Sequence, residues 1–138
     1  MREFHLETAG PNGDCAVLQV TGEVDVYTAP MLREQIQELA AKGAVHLIAD
    51  LGRVDFLDST GLGALVGGVK RLREAGGSLC LVITTPRILR VFQITGLTKA
   101  LAIKGSVADA IIADRHWQQM AESHAGGVLQ WCEQHGLT

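Results

Sequence analysis

Aromatic side chains and excess positive charge are both scarce in this chain of 138 residues. Aromatic residues make up 4% of the sequence, and 12 Lys and Arg residues stand against 15 Asp and Glu residues. A nucleic-acid interface needs clustered cations and commonly uses aromatic rings as stacking platforms. The composition therefore predicts that the chain has no nucleic-acid partner.

Long apolar runs are also missing. No run approaches the roughly 18 apolar residues that suggest a membrane-spanning helix. The first residues, MREFHLETAG, lack the apolar segment of a secretory signal. We therefore expect a cytoplasmic protein with no membrane partner.

Cysteine is sparse, with Cys15, Cys80 and Cys132 at unrelated spacings and no CxxC pair. This pattern favours neither a disulfide framework nor a zinc site, and Cys15 and Cys80 are expected to be buried apolar residues. The histidines do not have the spacing of a metal-binding motif such as HExxH. The sequence thus predicts no metal and no cofactor.

Apolar periodicity predicts strands that alternate with helices after an initial strand pair. The turn Pro11-Asn12-Gly13-Asp14 separates the first two strands, and the second covers Cys15 to Thr21 before a loop, Gly22 to Asp25. The full order is ββαβαβαβα, which indicates an α/β fold with a mixed, largely parallel sheet and helices packed against it. The predicted domain covers residues 1–120, and residues 121–138 form a C-terminal extension expected to be helical.

Apolar residues also give more local expectations. The run from Ala44 to Leu51 is typical of a strand that is covered on both faces. A helix that begins at Ser106 is expected to direct three apolar side chains into the core, namely Ile111, Ile112 and Trp117. In the extension, Trp131 and Leu129 favour packing over exposure because both are costly to leave in water.

The most distinctive segment is Asp58-Ser59-Thr60-Gly61-Leu62-Gly63, which precedes an apolar helix. All three of its first residues are favoured helix N-caps, and Ser59 is expected to contribute a cap. A catalytic serine is not indicated, because the glycine that a nucleophile elbow needs before Ser59 is missing. A phosphate-binding loop is not indicated either, because no Lys-Ser or Lys-Thr pair follows its glycines.

The glycines of this helix allow more than one interpretation. Gly61-x-Gly63-x-x-x-Gly67 is similar to a dinucleotide fingerprint, but the preceding strand is expected to end at Leu51, several residues too early. Ser59, Gly63 and Gly67 share one stripe of the helix. Such a stripe suits close packing inside the protein, and it also suits the docking of a partner. A phosphate on Ser59 would be tolerated by the helix N-terminus and would disturb a partner docked there.

Several motifs in this order resemble the anti-sigma factor antagonists, which are single-domain STAS proteins. The motifs are Thr21-Gly22-Glu23-Val24-Asp25, Thr28-Ala29-Pro30, Val54-Asp55-Phe56-Leu57-Asp58-Ser59-Thr60-Gly61-Leu62-Gly63, Gly76-Gly77, Val91-Phe92 and Thr95-Gly96-Leu97. The resemblance covers about residues 3 to 115. It implies a regulator that is not an enzyme, acts in partner switching that controls transcription, and is a monomer or a weak dimer.

In that family the unmodified antagonist binds an anti-sigma factor that is a serine kinase of the ATPase fold, and this binding releases the sigma factor. The resemblance implies that the kinase phosphorylates Ser59, which switches binding off, and that a phosphatase reverses the modification. It also implies a partner-binding surface, composed of Glu23, Asp25, Asp58, Thr60, Gly61, Leu62, Gly63 and Gly67. Asp25 suits a turn-forming role equally well.

Two other functions fit the same fold. A STAS scaffold in a transporter-associated or other signalling assembly would need the fold but no chemistry at Ser59. A small-nucleotide-binding domain would need a site for the ligand. The motifs do not specify a particular sigma pathway.

Overall fold

The computed structural model describes residues 3–123 and 126–137, and this part of the chain contains five strands and six α-helices. The strands are β1 His5–Asn12, β2 Cys15–Val24, β3 His46–Leu57, β4 Ser78–Val82 and β5 Ala102–Lys104. The helices are α1 Ala29–Ala41, α2 Ser59–Glu74, α3 Pro86–Ile94, α4 Val107–Ile112, α5 Arg115–Glu122 and α6 Gly127–Gln134. Residues 1–2 of the predicted domain, and residues 124, 125 and 138 of the predicted extension, lie outside the described residues.

The five strands form one sheet in the order β1-β2-β3-β4-β5. Strands β1 and β2 form an antiparallel hairpin closed by the pair Asn12 and Cys15, and the other three pairs are parallel. A helix lies between the two strands of each parallel pair, which is the usual way of connecting parallel strands. The α/β fold with a mixed, largely parallel sheet is therefore confirmed.

Both faces of the sheet are covered by helices. Consecutive strand residues point to opposite sides, so each strand contributes side chains to two cores. In β3, Leu47 and Ala49 join a core that helices α1, α2 and α3 cover, whereas Ile48 joins a second core beneath α4, α5 and α6. Leu32, Ile36 and Leu39 line the inner face of α1 at helical spacing, and α2 uses Leu65, Val69 and Leu72 in the same way. No helix in the described residues is long and apolar enough to cross a bilayer.

Two strands are longer than the apolar pattern predicts. Strand β2 reaches Val24 instead of ending at Thr21, and β3 reaches Leu57 instead of Leu51. Their parallel pairing continues across two shifts of register, and Gly22 has a φ of +97° at one of them. Polar residues in the second half of β3 interrupt its apolar run, so the continuation is set by pairing with β2 and is absent from the periodicity.

The helix expected after Ser106 is two helices. Helix α4 ends at Ile112, and Asp114 caps α5 by accepting hydrogen bonds from two backbone N–H groups at 2.9 and 3.2 Å. Ile111 and Trp117 are buried as expected, but Ile112 is 55% exposed because it lies off the face of α4 that Val107, Ala110 and Ile111 bury.

The second core ends in two buried indoles. Trp131 of α6 packs edge-on against Trp117 of α5, with ring centroids 5.9 Å apart. Trp131 is fully buried, whereas Leu129 on the same helix is 69% exposed, so the packing expected for Leu129 is wrong. Helix α5 runs across residue 120, and the domain boundary drawn there stays a prediction.

This packing predicts that α6 contributes directly to stability. Trp131→Ala should lower the free energy of unfolding by about 3–5 kcal/mol, because it removes a large buried side chain and leaves a cavity. The control Leu129→Ala should change it by less than about 0.5 kcal/mol because that side chain is exposed. Urea unfolding followed by circular dichroism measures both values, and equal effects would contradict the packing of α6.

Candidate functional site

The motif residues lie at the carboxyl ends of β2 and β3. Val24 and Leu57 are partners at the end of the parallel ladder, and the backbone N–H of Asp58 donates to the Val24 carbonyl at 3.2 Å. Strand β3 passes into α2 at Asp58, and β2 passes into the loop that begins at Asp25. The strand pairing thus brings the two acidic motif segments to one edge of the sheet.

Helix α2 is capped by Asp58. Its backbone is extended, and its carboxylate Oδ1 accepts hydrogen bonds from the N–H groups of Thr60 at 2.9 Å and Gly61 at 3.0 Å. Ser59 is the first residue of the helix and is exposed, and its hydroxyl has no hydrogen-bond partner among the described residues. The expectation that Ser59 contributes a cap is therefore wrong, because the preceding carboxylate satisfies the free N–H groups.

The glycines of α2 divide into two groups. A Cβ on Gly61 would come within 2.8 Å of Leu57 and Val24, and one on Gly68 would come within 3.1 Å of Ile36, so these two permit close internal packing. In contrast, Gly63 and Gly67 are exposed, and a Cβ on either would meet nothing within 4 Å. The protein's own packing does not account for those two glycines.

Asp25 forms the turn that leads into α1. Its Oδ1 accepts from the N–H groups of Tyr27 at 2.9 Å and Thr28 at 3.0 Å, and Thr28 Oγ1 donates to the Glu23 carbonyl at 2.8 Å. The backbone hydrogen bond from Thr28, followed by that from Tyr27, lowers the pKa of the Asp25 carboxyl. Thr28 precedes α1 as expected, but its side chain ties the loop together and does not cap the helix.

The remaining predicted residues lie at or just below this surface. Glu23 and Thr60 are half-buried, and Glu23 is paired with Phe56 in the ladder. Leu62 is also half-buried and packs against the first core. Ser59, Gly63 and Gly67 are thus the motif residues that a partner reaches most directly.

Exposed apolar side chains on the same edge were missed in the sequence. They lie in the loop after β2, the first turn of α1 and the end of β3, and they are Val26, Tyr27, Met31 and Phe56. Tyr27 is 84% exposed. They belong to a loop, the first turn of a helix and the end of a strand, so they share no periodicity. The available signal was their position within or next to the motif segments of the chain.

The glycine spacing does not make a dinucleotide site. Strand β3 ends at Leu57, directly before the cap, so the objection that the strand ends too early is wrong. A second requirement still fails, because the chain continues from β4 through Ile83, Thr84 and Thr85 without the acidic residue that would bind a ribose. Gly63 and Gly67 also lie within α2, and not in a loop before it.

Comparison with known protein families shows which family has this arrangement. The model of the STAS domain matches residues 7–110, which contain most of β1, the other four strands and the whole of α2. The chain belongs to the STAS domain family.

Relatives of this STAS domain have a consistent name. The anti-sigma-B factor antagonist of Bacillus subtilis is 45% identical over 86 residues, which is 62% of this chain and 78% of the relative. The protein of the same name from Listeria monocytogenes is 42% identical over 85 residues, which is 62% of this chain and 75% of the relative.

Solved structures agree with these relatives. An anti-sigma factor antagonist from Mycobacterium paratuberculosis superposes with a TM-score of 0.73 at 31% identity, over 82% of this chain and 95% of that one. The Bacillus protein SpoIIAA in its phosphorylated form superposes with a TM-score of 0.61 at 27% identity, over 80% of this chain and 98% of that one. The relatives support an anti-sigma factor antagonist function, which is regulation by binding and not catalysis.

The geometry at the start of α2 separates the roles of two adjacent residues. Asp58→Ala should lower the free energy of unfolding by about 0.5–2 kcal/mol because it removes the cap. Ser59→Ala should change it by less than about 0.5 kcal/mol because the hydroxyl is unpartnered and exposed. Asp58→Asn, which keeps a capping oxygen, is the control for the first variant and should retain most of the stability.

Denaturant unfolding of the three variants and the parent protein measures these differences. A loss for Ser59→Ala equal to that for Asp58→Ala would show that the serine is structural, and it would contradict the assignment of the cap.

Proposed function

We propose that this protein is an anti-sigma factor antagonist whose binding is switched off by phosphorylation of Ser59. The observation that supports the proposal is the pairing of an exposed, unpartnered Ser59 with a cap made by its neighbour Asp58. The serine is accessible to a kinase, and the helix does not depend on its hydroxyl. The relative SpoIIAA, which has a phosphorylated form, supports the same mechanism.

The proposed docking face surrounds Ser59. It consists of the open helix surface at Gly63 and Gly67 together with the exposed side chains of Tyr27, Met31 and Phe56. Glycines without a side chain let a partner backbone approach α2, while exposed aromatic and methionine side chains provide apolar contact area. The partner is an anti-sigma factor that is itself a serine kinase, and binding of the antagonist releases the sigma factor in the cytoplasm.

Phosphorylation alters the docking face without altering the fold. A phosphate on Ser59 adds about −1.5 to −2 charges at neutral pH, and the helix N-terminus stabilises such an anion. Asp58 keeps its capping hydrogen bonds, so α2 still begins at the same residue. A partner closing on the modified face must desolvate the phosphate and meet its charge. A loss of about 3 kcal/mol would weaken binding roughly a hundredfold.

A phosphorylation assay tests the acceptor. Incubation with an anti-sigma kinase from the same organism and ATP should add one phosphoryl group, detected by intact-mass analysis. Ser59→Ala should remove the gain, and the matched hydroxyl variant Thr60→Ala should retain it. The half-buried position of Thr60 explains the expected selectivity.

A mass gain that persists in Ser59→Ala, or no gain in any variant, would contradict the switch. Binding of the kinase without modification would instead favour a STAS scaffold. Treatment of the modified protein with a serine phosphatase should restore binding, because the phosphatase removes the charge and leaves the fold unchanged.

A second experiment tests the docking face itself. Gly63→Gln should stabilise α2 by up to about 1 kcal/mol, because Gln is a better helix former than Gly and the added side chain meets open space. The same variant should weaken binding of the anti-sigma factor at least tenfold, because the side chain occupies the face. Ala41→Gln, exposed at the far end of α1, is the control and should bind normally.

Thermal unfolding and isothermal titration calorimetry measure the two effects separately. Unchanged binding by Gly63→Gln would place the partner elsewhere on the molecule.

A further inference from the structure

A second cluster of reactive side chains lies at the opposite end of β2 from Ser59. Asp14 of the β1–β2 turn, Cys15 at the start of β2, His46 at the start of β3 and His116 in the first turn of α5 converge there. Asp14 Oδ1 lies 2.7 Å from His116 Nε2 and 3.6 Å from Cys15 Sγ, and Asp14 Oδ2 lies 3.9 Å from His46 Nε2. Residues from the two ends of the chain thus meet at one carboxylate.

One imidazole ring of the cluster is held by a hydrogen bond from β4, and the other stacks on it. His46 Nδ1 is 3.0 Å from the hydroxyl of Ser78 on β4, which leaves Nε2 directed toward Asp14. The ring of His116 stacks on that of His46, with centroids 4.0 Å apart. The hydrogen bond to Ser78 therefore fixes the ring on which His116 rests.

We propose that this cluster binds one divalent transition-metal ion, for which zinc is the best match, through His116 Nε2, an Asp14 carboxylate oxygen and Cys15 Sγ. The three ligand atoms lie within 4.8 Å of one another. Tetrahedral zinc with ligand distances of about 2.0–2.3 Å separates its ligands by about 3.5 Å, so side-chain movements of about 1 Å suffice. His46 Nε2, 3.9 Å from Asp14 Oδ2, lies outside this group of three, and its ring, stacked on that of His116, supports a ligand and leaves the fourth position to water.

The donor set has the chemistry of a zinc site and not that of calcium or magnesium. Imidazole nitrogen and thiolate sulfur are preferred by zinc and its neighbours, whereas calcium and magnesium take oxygen ligands. Metal-binding motifs read from sequence depend on local spacing. Here His116 is 102 residues from Asp14, so the sequence predicted no metal.

Metal binding exchanges protons at two of the ligands. Without a metal ion, burial and the Asp14 and Asp114 carboxylates raise the pKa of the Cys15 thiol to about 12. The ion therefore replaces the thiol proton, which leaves to solvent as the sulfur–metal bond forms. At His116 the proton that Nε2 donates to Asp14 is released to solvent and Nδ1 takes up one from solvent, so the ring binds the metal through the Nε2 lone pair and keeps one proton.

Cobalt(II) is the probe for this site, because a thiolate–cobalt bond produces a charge-transfer absorption and tetrahedral geometry intensifies the visible bands. The full chain, stripped with chelator and desalted, should bind one equivalent of cobalt with both features, and zinc should displace it. His116→Gln and Cys15→Ala should each weaken binding at least tenfold and remove or shift the bands.

Two further variants test whether the loss of cobalt binding is specific to this cluster. Cys132→Ala removes a different buried thiol of the same core and should bind normally. Ser78→Ala frees the His46 ring on which His116 stacks, and it should weaken binding less than His116→Gln does.

Absence of a thiolate band, or binding that His116→Gln leaves unchanged, would overturn the proposal. His116 is 45% exposed in its side chain, so its variant is expected to fold and keeps the test informative if Cys15→Ala does not fold. A further result would also overturn it: the parent protein shows no cobalt absorption, and His116→Gln unfolds more easily than the parent. The cluster would then be a set of stabilising hydrogen bonds that holds no metal. Phosphorylation at Ser59 is expected to be independent of this result.

Discussion

The parallel pairing of β2 with β3 is the constraint on which both candidate sites depend. At one end of the ladder Cys15 is paired with His46, which brings the turn residue Asp14 against an imidazole. At the other end Val24 is paired with Leu57, which brings the Asp25 turn beside the start of α2. Because parallel strands run in the same direction, the pairing along this ladder, including its two shifts of register, determines which side chains meet at both edges of the sheet. Both faces of β2 and β3 are buried, in two different cores. A slip by one residue would be costly because it would exchange the side chains of the two cores.

At the start of α2 the proposed modification site and the structural cap are adjacent residues. If Ser59 were the N-cap, its phosphorylation would alter the hydrogen bonds that begin the helix, and binding and stability would change together. Asp58 takes the capping role, and its hydrogen bonds to Thr60 and Gly61 do not involve the serine. The charge of Ser59 can therefore change while the backbone stays in place. This separation is what a regulator needs if it is to rebind after the modification has been removed.

The order of elements and most core residues could be predicted because they depend on local periodicity. Leu32, Ile36 and Leu39 repeat at helical spacing, and the run through Leu47 is apolar on both faces. The ends of β2 and β3 could not be predicted because pairing sustains them where the apolar pattern stops. The break after Ile112 depends on Asp114 acting as a cap, which was not recognised within a continuing helical pattern. The contact of Asp14 with His116 depends on tertiary placement, for which one sequence carries no local signal.

The glycines of α2 connect the fold with the proposed function. Each glycine within a helix costs about 1 kcal/mol relative to alanine. At Gly61 and Gly68 that cost is offset inside the protein, since a side chain there would collide with Val24 or approach Ile36 too closely. At Gly63 and Gly67 the described residues offer no such compensation, because both positions face open space on the helix that Ser59 begins. In the proposed function the compensation comes from outside the fold, from a partner surface that approaches the helix backbone. A group added to Ser59 would then act on that partner before it acts on the protein's own packing.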